Sequence, residues 1–339
     1  MSELSQHPGR AGAGIVRRDE RLKGILCLVA GIALFSLQDL IIKLLSSEYP
    51  VHQALAVRAA TTAPILLALV AVDGGLRSLA SPRAGLLLVR GCVMFAAYLS
   101  YYLGLAALPL AYCVSLYFTA PLFITALSTV VLGERVGPRR WAAVAIGFAG
   151  VLVMVRPGSE VFDWAALLPV AAACAYAVST MLARHLGATE SAGVMSFYGN
   201  AIYLIAGLAL AAVFGDGRHA MEVHDSLAFL TRGWVMPTAT DLALMIFCGV
   251  LAAGGLSFLS QAYRVAPAAV VAPFEYTSLG WGVLWGYLFF SDLPGPWTWV
   301  GVSIIVGAGL FVLYRERATG RPTLWRRGGW RRLNRRPER

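Results

Sequence analysis

The most informative residues of this sequence are ionisable side chains that interrupt apolar stretches. Glu275 lies between the uncharged segments 270–274 and 276–279. A carboxylate within lipid is unfavourable unless it is paired or faces a cavity, and Pro273 removes a backbone donor nearby. We therefore interpret Glu275 as a group that carries a coupling proton or holds a polar part of a solute. The alternative is a structural carboxylate that hydrogen-bonds between helices.

Three further charges lie within apolar stretches. Asp39 and Lys43 are four residues apart, so on a helix they share one face in the order that favours an ion pair. This pair is either structural or part of a gate. Arg58 is the one charge of its apolar run. It could neutralise Glu275 or Asp39 across a helix bundle, or extend its charge to the membrane surface.

Aromatic and amide side chains form a second set of candidates. Tyr102, Tyr117 and Trp281 lie deep in their apolar runs, away from the interfacial positions where tyrosine and tryptophan are usually enriched. They could line a cavity that stacks a flat solute, and core packing explains each of them equally well. Gln261 could hydrogen-bond to a solute, although a bond between helices is the better explanation.

The elements that must position these residues are membrane-spanning helices. Of the 339 residues, 58% are hydrophobic and 14% charged, whereas a soluble domain carries about 25% charged residues. Within lipid an apolar run must be helical, because its backbone groups can be satisfied only internally. The sequence predicts an all-α integral membrane protein with ten spans: 22–45, 51–72, 86–107, 110–132, 139–156, 163–185, 192–214, 239–263, 267–290 and 296–314.

The basic residues predict the orientation of these spans. The net charge is +10, and lysine and arginine are concentrated in the tails 1–21 and 315–339 and in alternate short loops. By the positive-inside rule both termini are cytoplasmic, and the location is a bacterial inner membrane. Nucleic-acid binding is a weaker explanation, because a basic patch alone is poor evidence for it. We expect the Arg-rich tail to contact anionic lipids.

An internal repeat gives the most specific prediction. The segment 91–156, shifted by 158 positions without gaps, falls on 249–314 with matching proline, threonine, glycine and tryptophan positions, among them Pro109 on Pro267, Thr119 on Thr277 and Trp141 on Trp299. The chain therefore divides into five-helix halves, 22–156 and 163–314. Because five is odd, the halves must be inverted relative to each other, as in many secondary transporters.

Motifs of soluble enzymes are absent from the sequence. It contains no phosphate-binding GxxxxGK[ST], no HExxH, no GxSxG and no GxGxxG. The five cysteines are scattered through apolar runs, without CxxC spacing. Four residues of the long polar connection could bind a metal weakly, but a solvated loop explains them better: His219, Glu222, His224 and Asp225. We expect no catalytic activity, no cofactor and no metal.

The chain resembles the EamA-type transporters of the drug/metabolite transporter superfamily. The first copy reads FTAPL at 118–122 and LGER at 132–135, and the second reads FEYT at 274–277 and FSD at 290–292. Tyr276, where the family often has proline, and Ser291-Asp292 in place of Gly-Glu are departures. The resemblance covers about 22–315, and the stretch 272–279 is similar to bacterial riboflavin and S-adenosylmethionine uptake proteins.

Together these features predict a carrier of a small organic metabolite that works by alternating access. The resemblance implies uptake of a heterocyclic solute such as riboflavin, then S-adenosylmethionine uptake, then export of an amino acid or another metabolite. Transport is expected to be either proton-coupled or facilitative, and a homodimer is left open. The competing classes are a lipid flippase and a membrane-embedded enzyme, which would need clustered histidine or acidic residues at one membrane face.

Overall fold

The architecture was analysed in a computed structural model, which describes residues 9–73, 75–131, 137–159, 162–187, 189–221, 224–266 and 268–318. These residues form helices and turns, without strands. The helices are α1 (Gly9–Leu45), α2 (Val51–Asp73), α3 (Ala84–Ala107), α4 (Leu110–Tyr117), α5 (Ala120–Val131), α6 (Pro138–Val155), α7 (Leu167–Leu186), α8 (Ala192–Phe214), α9 (Asp225–Thr231), α10 (Ala239–Val265), α11 (Ala268–Val271), α12 (Thr277–Phe290) and α13 (Pro296–Ala318).

The predicted all-α membrane architecture is confirmed. Within the described residues, nine candidate spans are long and apolar enough to cross a bilayer. α1 begins at Gly9, upstream of the predicted first span, and α9 lies in the long connection predicted to be a loop. Several predictions concern segments outside the described residues, namely the tail 319–339, the Gly-Glu motif at 133–134, Glu222 and Pro267.

The predicted span 267–290 is not one continuous helix. α11 is followed by a 3-10 segment, Ala272–Tyr276, and then by α12. Pro273 lies at the start of the 3-10 segment, where it removes a backbone donor and prevents a regular α-helix. The predicted span 110–132 is also interrupted, because α4 ends at Tyr117 and α5 begins at Ala120. Each half of the chain thus contains one broken helix.

Close helix approaches bring the polar residues of α2 into the core. A Cβ atom at Gly249 of α10 would lie 2.6 Å from the Cβ of Thr61 and 2.8 Å from the carbonyl oxygen of Arg58. The Thr62 hydroxyl donates to that carbonyl (2.9 Å) and to the carbonyl of Gly249 (3.0 Å). Glycine at 249 therefore lets the two helices touch and fixes the backbone of α2 at Arg58.

The long connection between α8 and α10 packs over one end of the bundle. The Gln53 side-chain amide donates to the carbonyl of Val235 (2.6 Å) and accepts from its N–H (3.1 Å). Arg232 donates to the carbonyl of Ser46 (3.0 Å), and the Ser226 hydroxyl of α9 donates to that of Leu103 (2.7 Å). These bonds attach the connection to the ends of α1, α2 and α3.

Candidate functional site

Two tyrosines of α3 hold the carboxylate of Asp39 on α1. The Tyr101 hydroxyl donates to Oδ2 (2.9 Å) and the Tyr102 hydroxyl to Oδ1 (2.6 Å). Both rings are at least nine-tenths buried. Consecutive residues point about 100° apart around a helix, so both phenols reach one carboxylate because it lies between them where α1 meets α3. Each oxygen of the buried carboxylate thereby gains a hydrogen bond.

A chain of hydrogen bonds links this carboxylate to Arg58. Arg58 Nε donates to Oε1 of Gln38 (3.3 Å), and Gln38 Nε2 donates to the Tyr102 hydroxyl (2.6 Å). Arginine can only donate, so Gln38 must present its oxygen to Arg58 and its NH2 group to Tyr102. We call Asp39, Tyr101, Tyr102, Gln38 and Arg58 the Asp39 network. Of the two partners predicted for Arg58, the structure brings it near Asp39.

Lys43 and Asp39, both among the described residues, do not form an ion pair. Lys43 Nζ instead donates to the carbonyls of Leu105 (2.9 Å) and Leu108 (2.6 Å) and lies over the Phe290 ring. The last carbonyls of a helix lack partners within it and carry partial negative charge. They attract the ammonium group at the end of α3, while the two phenols occupy the carboxylate. The gating role remains a prediction.

Glu275 lies in the break between α11 and α12. It accepts a hydrogen bond from the hydroxyl of Tyr263, near the end of α10. Beside it, the Tyr276 ring packs on Phe118, with 4.7 Å between ring centroids. The break therefore holds a carboxylate that is bonded to α10 and, next to it, a ring packed against the residue that follows α4.

A row of aromatic rings begins at the Asp39 network. Tyr102 contacts Tyr101 with centroids 5.2 Å apart, Tyr101 contacts Tyr117 at 5.2 Å, and Tyr117 contacts Tyr176 at 5.7 Å. Tyr102 and Tyr117 thus belong to one continuous aromatic cluster. The Tyr102 hydroxyl donates to Asp39 and accepts from Gln38.

Trp281 and Gln261 lie away from this cluster. Trp281 stacks on Trp285, with ring centroids 5.7 Å apart and 18° between their planes, and packs against buried residues of α1 and α10. Gln261 is exposed in a groove with Cys27, Ser257 and Phe258. Among the described residues, neither side chain forms a hydrogen bond or a ring contact with Asp39 or Glu275.

Sequence reasoning missed several members of the two sites. The spacing of Tyr98, Tyr101 and Tyr102 predicts that all three lie on one side of a helix. Nothing in the sequence points to Tyr263 as the partner of Glu275, since the two lie on different elements, α10 and the 3-10 segment. Tyr176 was missed because it lies on α7, in the opposite half of the chain from its ring partner Tyr117.

Comparison with known proteins shows what the chain is similar to. Residues 22–156 match the EamA-like transporter family. The chain is 36% identical over 213 residues to a riboflavin transporter of Rhizobium johnstonii, covering 63% of this chain and 65% of that protein. It is 26% identical over 296 residues to an S-adenosylmethionine uptake transporter of Rickettsia prowazekii, covering 87% and 94%.

The other similar proteins include an exporter and a solved structure, and the extent of the match differs among them. A pseudopaline exporter of Pseudomonas aeruginosa is 27% identical over 288 residues, covering 84% of this chain and 94% of that protein. A solved crystal structure matches with a TM-score of 0.57 and 18% identity over 87% of this chain and 99% of that one, which shows a shared fold alone. The match with the Rhizobium riboflavin transporter spans less than two thirds of its length.

Proposed function

We propose that this protein is a secondary transporter that moves a small organic metabolite across a bacterial inner membrane by alternating access. Riboflavin uptake is the first candidate, because the Rhizobium relative is named for it and is 36% identical. S-adenosylmethionine uptake is the second, from a relative matched over nearly its whole length. Export of an amino acid or a similar metabolite is the third, and an exporter among the relatives supports that direction.

The packing of the helices supports ten spans in two inverted repeats. The shift of 158 positions carries α3 onto α10, α4 onto the segment from α11 through the 3-10 turn, α5 onto α12 and α6 onto α13. By chain order α1 then corresponds to α7 and α2 to α8. The observed pairs α1–α10 and α7–α3 exchange under this correspondence, while α2–α8 and α6–α13 each map onto themselves. Two related halves would produce such a contact pattern.

The observation that carries the proposal is the contact between the two broken helices. Phe118 and Tyr276 correspond under the shift of 158, and their rings pack 4.7 Å apart. Each lies at a helix break, the first between α4 and α5 and the second at the end of the 3-10 segment. In many transporters of inverted repeats, the substrate binds where discontinuous helices meet at the repeat interface.

We place the solute near this contact, with Glu275 as its central polar group. Glu275 and Tyr117 occupy corresponding positions in the two repeats, Glu275 within its break and Tyr117 at the end of α4. Tyr117 and Tyr102 supply aromatic surface, and Trp281 would join them only after a movement of the helices. Among the described residues the Glu275 side chain has one hydrogen-bond partner, Tyr263, so it can exchange that bond for a proton or a solute group.

Uptake of labelled solute by the purified full chain in proteoliposomes tests this proposal. We expect accumulation of riboflavin or S-adenosylmethionine, and we expect a proton gradient to increase it. In Glu275→Gln the rate of uptake should fall about tenfold, which corresponds to about 1.4 kcal/mol. Glu48→Gln, at an exposed glutamate, is the matched control and should transport normally.

The other classes predict different results in the same vesicles. Unchanged flux in Glu275→Gln at every pH would remove the coupling role. If no metabolite moves but fluorescent phospholipids cross between leaflets, the protein is a flippase instead. Growth of riboflavin or S-adenosylmethionine auxotrophs carrying the gene separates the two leading solutes.

The proposed orientation has both termini in the cytoplasm. It is supported by arginines in alternate loops, including Arg77 and Arg83 before α3 and Arg139 and Arg140 in the first turn of α6. Reporter fusions at the C-terminus, active only in the cytoplasm or only outside it, test this orientation. Contacts of the Arg-rich tail with anionic lipids and a homodimer remain predictions.

A further inference from the structure

Arg58 has an unused hydrogen-bond donor in the protein core. Its side chain is 6% exposed, and its Nη1 atom finds no hydrogen-bond acceptor among the described residues. Every N–H of a guanidinium is a donor, and leaving a buried charged donor unsatisfied is unfavourable by more than leaving a neutral one. A buried unpaired donor of this kind requires an explanation beyond packing.

The surroundings of Arg58 have the form of a recognition site. The guanidinium carbon lies 4.8 Å from the ring centroid of Tyr98 and 5.6 Å from that of Tyr203, and Nε is held by Gln38. The close contact of α2 with α10 at Gly249 fixes the backbone of Arg58. The group is therefore positioned by α1, α3, α8 and α10 while one of its edges stays without an acceptor.

The charge of Arg58 is balanced without being paired directly. Asp39 is separated from it by Gln38 and Tyr102, although its charge acts on Asp39. The other titratable groups near Asp39 are phenols and thiols: Tyr98, Tyr101, Tyr102, Tyr117, Cys113 and Cys248. A direct ion pair with a carboxylate would have occupied the donor fork of Arg58. Because Gln38 and Tyr102 lie between Arg58 and Asp39, the Nη1 atom stays available.

We propose that Arg58 binds a planar oxygen acceptor of the transported solute, either a carboxylate or a carbonyl of a heterocycle. The acceptor takes Nη1, while Tyr98 and Tyr203 hold the guanidinium in place. Arginine suits this role because its rigid donor fork matches planar oxygen groups and stacks on aromatic rings. The assignment rests on the proposed transport function, since solute reaches Arg58 when the helices around it part.

Direct binding to the purified full chain in detergent tests the assignment, with riboflavin and S-adenosylmethionine as probes. Arg58→Lys keeps the charge and removes the fork, so we expect the Kd of the bound probe to rise at least about tenfold, the equivalent of about 1.4 kcal/mol. Arg232→Lys is the matched control, because Arg232 is a half-buried arginine that donates to the carbonyl of Ser46 (3.0 Å). Its effect should stay within about twofold, which is small on the same scale.

A change in the solute distinguishes recognition from a structural role and works on the wild-type protein. Decarboxylated S-adenosylmethionine lacks the carboxylate, and 2-thioriboflavin replaces one carbonyl oxygen by sulfur. We expect the wild type to bind the altered solute more weakly than its parent, and Arg58→Lys to bind the two equally. Equal binding by the wild type, or an unchanged Kd in folded Arg58→Lys, overturns the assignment.

Failure of the transport proposal gives a different result. In that case wild-type vesicles take up neither parent solute and the wild-type protein binds neither, which overturns the assignment together with the function it rests on. If wild-type vesicles transport a parent solute and the acceptor change has no effect, the transport proposal stands and only the role of Arg58 is wrong.

Discussion

Asp39 and Glu275, two half-buried carboxylates within the helix bundle, have very different surroundings. Asp39 accepts two phenol hydrogen bonds and is linked through Tyr102 and Gln38 to Arg58. All of these residues lie on the continuous helices α1, α2 and α3. Glu275 accepts from Tyr263 and lies on a 3-10 segment between two short helices.

This difference indicates two different roles. The Asp39 network ties three helices together through several bonds, so moving one member breaks more than one of them. The segment around Glu275 already lacks regular α-helical hydrogen bonds, so a rearrangement there breaks fewer bonds and decreases the stability less. We therefore expect substitutions in the Asp39 network to affect stability strongly, and substitutions at Glu275 and its partner to affect transport more than stability.

The largest effect on stability should come from Asp39→Asn. It leaves Arg58 as an uncompensated buried charge, which typically destabilises by about 3 kcal/mol. The measurement is the thermal unfolding midpoint of the detergent-purified protein. Asp241→Asn is the control, because Asp241 also accepts from two hydroxyls, those of Tyr49 and Thr238, but without a buried arginine. An equal decrease in both variants would contradict the importance of Arg58.

Tyr102→Phe should destabilise less than Asp39→Asn and more than Tyr101→Phe. Tyr102 both donates to Asp39 and accepts from Gln38, whereas Tyr101 makes one bond to Asp39. Hydrogen bonds between membrane helices contribute about 0.6 kcal/mol each on average, so the expected losses are about 1.2 and 0.6 kcal/mol. The same thermal measurement checks the order, and a reversed order would show that Gln38 does not depend on Tyr102.

Lys43→Met should destabilise by about 1 kcal/mol, because the ammonium donates to two carbonyls at the end of α3 and such bonds in membranes are weak individually. Lys23→Met, at an exposed lysine of the same helix, is the control and should leave the midpoint nearly unchanged. If Lys43→Met increases uptake while decreasing stability, the contact of α1 with α3 also acts as the predicted gate. Unchanged stability would mean that the two bonds do not hold the helices.

The smallest effect on stability should come from Tyr263→Phe, about 0.6 kcal/mol for one hydrogen bond between helices. Uptake should nevertheless change, because Glu275 loses the donor that positions it. Tyr287→Phe, at an exposed tyrosine of α12, is the control for both measurements. Loss of stability as large as in Asp39→Asn would remove the distinction between the two carboxylates.

The sequence by itself determined the class of fold and the depth of the charges. Apolar runs of about twenty residues can only be helices in lipid, so the positions of these runs predicted the nine spans found among the described residues. The same reasoning located Asp39, Arg58 and Glu275 within the bundle. A charged residue inside an apolar run lies at the same membrane depth as the helix that the run forms. It could not predict the interruption at Ala272–Tyr276, although Pro273 marked the position.

The tertiary structure decided which group each charge contacts. Spacing along one helix suggested that Asp39 pairs with Lys43, but phenols from α3 reach Asp39 and carbonyls from α3 receive Lys43. The hydrogen bond from Tyr263 to Glu275 depends on how α10 packs against the 3-10 segment Ala272–Tyr276. The physical reason is that partners inside a bundle come from neighbouring helices. Their rotation and depth depend on the packing of the whole set, which no single stretch of sequence specifies.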